Sequence, residues 1–366
     1  MKQYKIAIDQ NIFIAHNVSS AGSKMLEGFK PPYSAAVIEK LQAARMEICC
    51  HSKIGEFGAS SYLAQYAAGG FADAAIGIDV EGSAFSSAID NGALYIKPTY
   101  GSVSRYGVAA NVSSMDQVGV YAKDADTAFA VLSIISGHDE RDSTTYPRKK
   151  YEYSPEQIDM SGLKAIGFNS KCAKSDKYTD CEKGEKYLMS KTGITIKTHD
   201  FKYGSCLADV YAIISAAEFS GNISKFDGLK YGFRTVNYKN IDDIICNSRS
   251  EAFSLETKIK ALTGAYVLSE GQFEKYYKKA TQIRRLIKDE LDKVFIEADF
   301  VILPILENAV NELDDYYNNL QISALANLTG CPAAVIPLKD VQQTIMVLTK
   351  EFNENKLFAL CKALSL

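Results

Sequence analysis

The chain is poor in the residues that gather metals. Its 366 residues hold four histidines, at positions 16, 51, 138 and 199, scattered with no ligand spacing. Eight cysteines, at 49, 50, 172, 181, 206, 246, 331 and 361, form no CxxC pair. That pattern gives no reason to expect a metal centre or a cofactor. Cys49 and Cys50 are neighbours in an apolar, strand-like run where their side chains point to opposite faces. The thiols read as reduced and buried, as in a cytoplasmic protein. Basic charge is not in excess either: the formal net charge is −3, which argues against a broad nucleic-acid surface. No run approaches the roughly 18 apolar residues of a membrane span. The start, "MKQYKIAIDQNIFIAHN", lacks the long apolar core and small-residue cleavage site of a secretory signal, so none is expected. There is no internal repeat, low-complexity linker or Pro/Gly-rich hinge, which favours one domain over residues 1–366.

What is present is ordinary for a globular protein, with 47% hydrophobic and 23% charged residues. Short strand-like runs alternate with helical patterns. "YKIAIDQNIFI" precedes the helical "SAAVIEKLQAAR", for which Ser34 is the expected N-cap with Val37, Ile38 and Leu41 on one face. "MEICCH" follows, and "GLKAIGF" (162–168) and "ADFVILPIL" (298–306) are further buried-strand candidates. The longest helix is expected over 271–296, with Phe273, Tyr277, Ala280, Ile283, Ile287, Leu291 and Val294 recurring at helical spacing. Its Lys278, Lys279, Arg284, Arg285 and Lys288 read as a solvated face. Strands alternating with helices predict an α/β fold, a sheet with helices on both sides.

One stretch carries chemistry. "IDVEGSAFSSAIDNGALYIKPTYGSVSRYG" (78–107) sets Ser83 in a glycine-containing turn. A serine hydroxyl is a weak nucleophile until a base takes its proton, and the tetrahedral anion then formed needs N–H donors nearby. Val80-Glu81-Gly82-Ser83 can supply such a turn, although Gly-Ser is more often a turn and nothing else. The longer stretch, gapless over 75–107, resembles the amidase signature family and, within it, the A subunits of glutamyl-tRNA(Gln) amidotransferases. The resemblance continues through "SSMDQVGVYAKDADTAFAVLSIISGHDERDSTT" (113–145), "NISKFDGLKYGFR" (222–234), "ALTGAYVLSEGQFEKYYKKATQIR" (261–284) and "NLTGCPAAVIP" (327–337). It implies the amidase signature fold, a mixed central β-sheet flanked by helices on both faces, in shortened form with its signature core about 53–145.

In that family a neutral lysine, a serine in a cis peptide and a nucleophilic serine pass a proton and attack an amide. In the A subunits the amide is free glutamine's, and the ammonia goes to a partner subunit. The family's nucleophile falls on Ser83. Its lysine, in a G-I-K-D-N-I strand end, falls on Asp9 of "AIDQNI" (7–12). Aspartate has one methylene where lysine has a four-carbon stem, so it falls short of the relay. Lys5 is on the same face but four residues back, and a buried Asp9 is expected to be hydrogen-bonded or protonated. The relay serine falls on Ala59 in the gapless register, or on Ser60 if the register slips by one. The glycines flanking that turn in the family are lost, with Tyr62 and Leu63 in their place. A segment the family carries before this turn, and its helical region before the first strand, have no counterpart. The oxyanion turn becomes Val80-Glu81-Gly82, and a glutamate there repels a developing oxyanion unless it points away. Phe85 replaces an arginine, Lys260 corresponds weakly to a substrate-contacting basic residue, and Leu320 stands at an acidic position.

Losing one member of such a relay costs about 10⁴ to 10⁶ in kcat. The expectation is therefore a catalytically inactive amidase-fold protein in a binding or regulatory role, with B- or C-type amidotransferase subunits or another protein as partner. Two alternatives stand beside it. One is an active amidase, or an active amidotransferase A subunit, using Ser83 on glutamine or another small-molecule amide. The other is a small-molecule binder in the vestigial pocket. No direct contact with nucleic acid or membrane is expected.

Overall fold

The computed structural model describes residues 2–79, 82–147, 151, 153, 158–168, 181–303, 320 and 323–364. Among them ten strands form one mixed sheet: β1 (Lys5–Asp9), β2 (Glu47–Ser52), β3 (Ala74–Asp79), β4 (Leu94–Lys97), β5 (Gln117–Ala122), β6 (Lys164–Phe168), β7 (Thr195–His199), β8 (Phe300–Leu303), β9 (Ala333–Leu338) and β10 (Gln343–Thr349). Their order is β2-β1-β3-β5-β4-β9-β10-β8-β6-β7. The two ends are parallel, β2 with β1 and β3 at one and β8 with β6 and β7 at the other. The centre, β3 through β5, β4, β9 and β10 to β8, is antiparallel.

The helices are α1 (Ala36–Ala43), α2 (Leu63–Ala68), α3 (Ser83–Asn91), α4 (Ala125–Ile135), α5 (Cys181–Thr192), α6 (Leu207–Ile223), α7 (Ile241–Ala252), α8 (Leu255–Leu268), α9 (Tyr277–Glu297), α10 (323–329) and α11 (Glu354–Leu364). Period-two alternation divides the strand residues between two cores. Ile6, Ile8, Ile76, Ile96, Val120 and Ile336 pack under α1, α4 and α11, where Phe129 stacks on Phe358 at 4.4 Å. Ala7, Ala75, Tyr95, Tyr121 and Val335 face α2, α3, α6, α9 and α10. A third cluster joins Phe57, Phe219, Phe226 and Phe253.

Several local expectations are refined. The helix after "PPY" is capped by Ala35 without a side-chain bond, because the Ser34 hydroxyl instead accepts the Ala15 N–H at 3.0 Å. The 271–296 helix begins later, at Tyr277, and buries Ala280, Ile287, Leu291 and Val294. Its basic face is half right. Lys278, Arg285 and Lys288 pair with Glu274, Asp289 and Asp292 one turn away, whereas Arg284 turns inward to the Leu328 carbonyl and to Ser114. Strand β8 lies inside the "ADFVILPIL" run, whose residues 304–306 fall outside the described ones. Six described cysteines are free; Cys331 and Cys361 are buried as expected, but Cys49, Cys50 and Cys206 are half-buried and Cys246 is exposed. Cys172, and the side chain of Cys181, lie outside the described residues.

Candidate functional site

The parallel strands β1, β3 and β4 end in polar residues, Asp9, Asp79 and Lys97, and antiparallel β5 begins beside them with Gln117. All four are buried. They share the face toward α2 and α3 because each follows Ala7, Gly77, Tyr95 or precedes Gly119 by two. Glycine is required at the middle of this face: a Cβ on Gly77 would overlap the Asp9 carboxyl and a Leu63 methyl, and one on Gly119 would overlap the Tyr95 hydroxyl. The result is a polar layer at one end of the sheet, beneath the start of α3.

Helix α3 begins immediately after Gly82, whose φ of 76° is the left-handed conformation that glycine adopts without strain. This places Ser83 at the helix N-terminus, half-buried. Its hydroxyl donates to the Gly58 carbonyl at 3.2 Å. The next helical N–H, of Ala84, is taken by Asp79 Oδ1 at 3.0 Å, and Asp79 Oδ2 accepts from Asn327 at 2.5 Å. Burial raises the Asp79 carboxyl, offset by the Asn327 bond and by Lys97. Burial lowers the Lys97 ammonium to about 8 against the pull of Asp79; Lys97 donates to the Ala326 carbonyl at 2.8 Å. Val80 and Glu81, two of the three residues of the expected oxyanion turn, lie outside the described residues.

The segment from Gly55 to Ser61 closes on itself. The Gly55 N–H bonds the Ser60 carbonyl at 3.0 Å and Ile54 bridges Ser61. Phe57 and Gly58 take positive φ, 50° and 89°, so the tight part of the turn precedes Ala59; Tyr62 is the N-cap of α2 and Leu63 its first residue. Ala59 is exposed and the Ser60 side chain lies against Gly55. Neither reaches Asp9. Ser61 does: its hydroxyl donates to Asp9 Oδ2 at 3.2 Å. Sequence reasoning overlooked this residue; the signal was the serine pair itself, whose two side chains must diverge.

Asp9 is buried, its other oxygen has no partner among the described residues, and burial pushes its carboxyl well above the usual range. It is thus hydrogen-bonded to Ser61, and burial favours its neutral form. The Tyr121 hydroxyl lies in the same layer, near Asp9, Ser61 and Ser87. Lys5 stays exposed at the far end of β1. Phe85 turns into the core, edge-on to Tyr95 at 5.3 Å. Leu320 is buried. Lys260, on α8, donates to Asn111 Oδ1 at 3.1 Å over the Phe219 ring, and Asn111 Nδ2 in turn holds the Phe57 carbonyl at 2.9 Å. Glu56 ties the same turn to α8, accepting from the Ser254 N–H at 2.9 Å and the Thr257 hydroxyl at 2.5 Å, and from the Ser23 hydroxyl at 2.6 Å. Among the described residues no peptide bond is cis and no group of three metal-ligating side chains occurs. No described helix is long and apolar enough to cross a membrane.

A profile of the family described as Amidase matches residues 63–358. The chain belongs to the amidase family. Among curated relatives, the A subunit of the glutamyl-tRNA(Gln) amidotransferase of Lacticaseibacillus casei is 33% identical over 98% of this chain and 82% of its own length. That of Sulfolobus acidocaldarius is 32% identical over 91% and 78%. The crystal structure of the Thermotoga maritima A subunit superposes with a TM-score of 0.77 at 25% identity, over 98% of this chain and 82% of that one. Peptide amidase from Stenotrophomonas maltophilia, at 20% identity, shares the fold with a TM-score of 0.78 over 98% and 81%.

Proposed function

We propose that this amidase-family chain is catalytically silent and serves in a binding or regulatory role, with B- or C-type amidotransferase subunits, or another protein, as partner. The observation that carries this reading is where the two side chains are bonded. At the strand end where a proton acceptor is needed, the buried Asp9 carboxyl accepts from Ser61 and not from Ser83, and burial favours its neutral acid, the form that cannot take a hydroxyl proton. Ser83, for its part, directs its proton at the Gly58 carbonyl, which is an acceptor of hydrogen bonds but not a base. Among the described residues no hydrogen bond joins the two: Ser61 serves Asp9, and the first helical N–H after Ser83 serves Asp79.

One feature favours residual activity through Ser83. It sits at the positive end of α3 behind a left-handed glycine, where an oxyanion is favoured. Labelling with a fluorophosphonate, read by intact mass and peptide mapping against Ser83→Ala, separates the readings. The expected result is no Ser83-dependent adduct and no release of ammonia from glutamine. Stoichiometric labelling of Ser83 refutes the silent reading.

A further inference from the structure

Strand β7 is the last of the sheet, and its side toward α9 is polar: Thr195, Lys197 and His199 share that face. Burying such residues against a helix is costly. Strand β7 and α9 instead stand apart over a cleft of about 440 Å³, a size that suits small molecules. Its floor is apolar, made by Ile166 of β6 with Leu286 and Val294 of α9, and the Tyr203 ring lines one side.

Some of the polar groups around that floor are already committed. Glu290 Oε1 accepts the Lys202 N–H at 2.7 Å and lies 3.8 Å from His199 Nε2. The imidazole stands edge-on to Phe201 at 4.8 Å, and Phe201 stacks on Phe168 at 4.8 Å. Asp289 is neutralised by Arg285 at 2.8 Å. What remains is mixed in sign. Lys293 has Asp289 and Glu297 one helical turn to either side, yet among the described residues it pairs with neither, and the Lys202 ammonium likewise forms no ion pair. With Glu290 Oε2 and Glu297, the cleft therefore offers two ammonium groups and two carboxylates, whose charges cancel. A ligand of one sign would leave the opposite pair unmatched. A ligand carrying one group of each sign on an apolar body matches both pairs and the floor.

We infer that this cleft binds a free α-amino acid with an apolar or aromatic side chain. Its carboxylate meets Lys293 and Lys202, its ammonium meets Glu290 and Glu297, and its side chain covers Ile166, Leu286 and Val294. Strand β7 lies eight positions along the sheet from β1, which carries Asp9, so the cleft is separate from the polar layer beneath α3. The inference stands whether or not Ser83 is active.

Saturation-transfer NMR of the full chain, titrated to a Kd for each of three probes, tests it. The probes are L-phenylalanine, hydrocinnamate, which lacks the ammonium, and phenethylamine, which lacks the carboxylate. L-Phenylalanine is expected to saturate, and each truncated probe to bind about tenfold more weakly, the effect of one lost charge-assisted hydrogen bond. Lys293→Met, at an exposed position, is expected to weaken L-phenylalanine by about the same factor and to leave phenethylamine unchanged. Glu290→Gln keeps an acceptor for the Lys202 N–H and is expected to weaken L-phenylalanine while leaving hydrocinnamate unchanged. Both variants should melt with the wild type. The proposal is overturned if L-phenylalanine does not saturate by about 10 mM, the weak end of specific binding. It is equally overturned if the three probes bind alike, or if both variants bind L-phenylalanine as the wild type does, which would place it elsewhere on the chain.

Discussion

Replacing Asp9 by asparagine isolates one proton. In an unfolded chain the Asp9 carboxyl ionises near pH 3.9. In the fold it is buried under α2, with one oxygen accepting from Ser61 and the other unpartnered among the described residues, and its pKa is raised well above that of a free aspartate. For an acid so raised, the folded state keeps a proton that the unfolded state has released. Stability is then fully present below the unfolded pKa and is lost as pH rises, at the slope of one proton, about 1.4 kcal/mol per pH unit. The loss continues at that slope until pH reaches the folded pKa and then levels off. An asparagine side chain has the same shape and cannot ionise in either state, so the slope vanishes while every other titrating group is common to both proteins. The assay is urea unfolding of wild type and Asp9→Asn at pH 5, 6 and 7, comparing extrapolated stabilities. The gap is expected to widen with pH in favour of Asp9→Asn. Parallel curves refute the reasoning, for they mean that Asp9 is ionised in the fold and available to accept a proton after all.

Other substitutions test the layers around it. Gly77→Ala is expected to cost about 1–3 kcal/mol by forcing a methyl onto the Asp9 carboxyl and Leu63, and adding Asp9→Ala should recover part of that in urea unfolding. Gly264→Ala is expected at the upper end of the same range, about 3 kcal/mol, because the obstacle is the Ala216 backbone and cannot rotate away. Glu56→Ala leaves the Ser23, Ser254 and Thr257 donors without an acceptor and should cost about 2–4 kcal/mol, with faster amide exchange at the start of α8. A melting temperature within a degree of wild type would contradict each of the three.

The alternation of strands and helices was legible because burial on two faces imposes period two on strands and 3.6 on helices, and both patterns survive in "YKIAID", "LKAIGF" and the 277–297 helix. Local side-chain choices were less so. Ser34 reads as a cap by type, yet the hydroxyl is drawn to the Ala15 N–H, an acceptor-seeking group that only the folded chain brings near. Arg284 reads as one of five surface cations, yet Ser114 and the Leu328 carbonyl, both far along the chain, pull it inward. The relay position shows the same limit. Counting back from Ser83 reaches Ala59 or Ser60, but the turn places its positive-φ residues at Phe57 and Gly58, and that choice presents Ser61 to the strand end.

The retention of Ser83 amid these changes needs no chemistry to explain it. Its hydroxyl bond to the Gly58 carbonyl pins the 55–61 turn against the first residue of α3. The same turn is held from the other side by Asn111 on Phe57 and by the Glu56 bonds to α8 and the residue before it. A serine that fastens a loop of two positive-φ residues is worth keeping on structural grounds alone. If the chain is catalytically silent as proposed, Ser83→Ala should lower stability modestly, by about 1 kcal/mol, and loosen the turn with no change in ammonia release. In an active relay the order reverses: turnover collapses by orders of magnitude and stability holds or rises, since a nucleophile is positioned for reaction rather than for packing. Measured together on one variant, unfolding free energy and ammonia release from glutamine assign Ser83 to one role or the other.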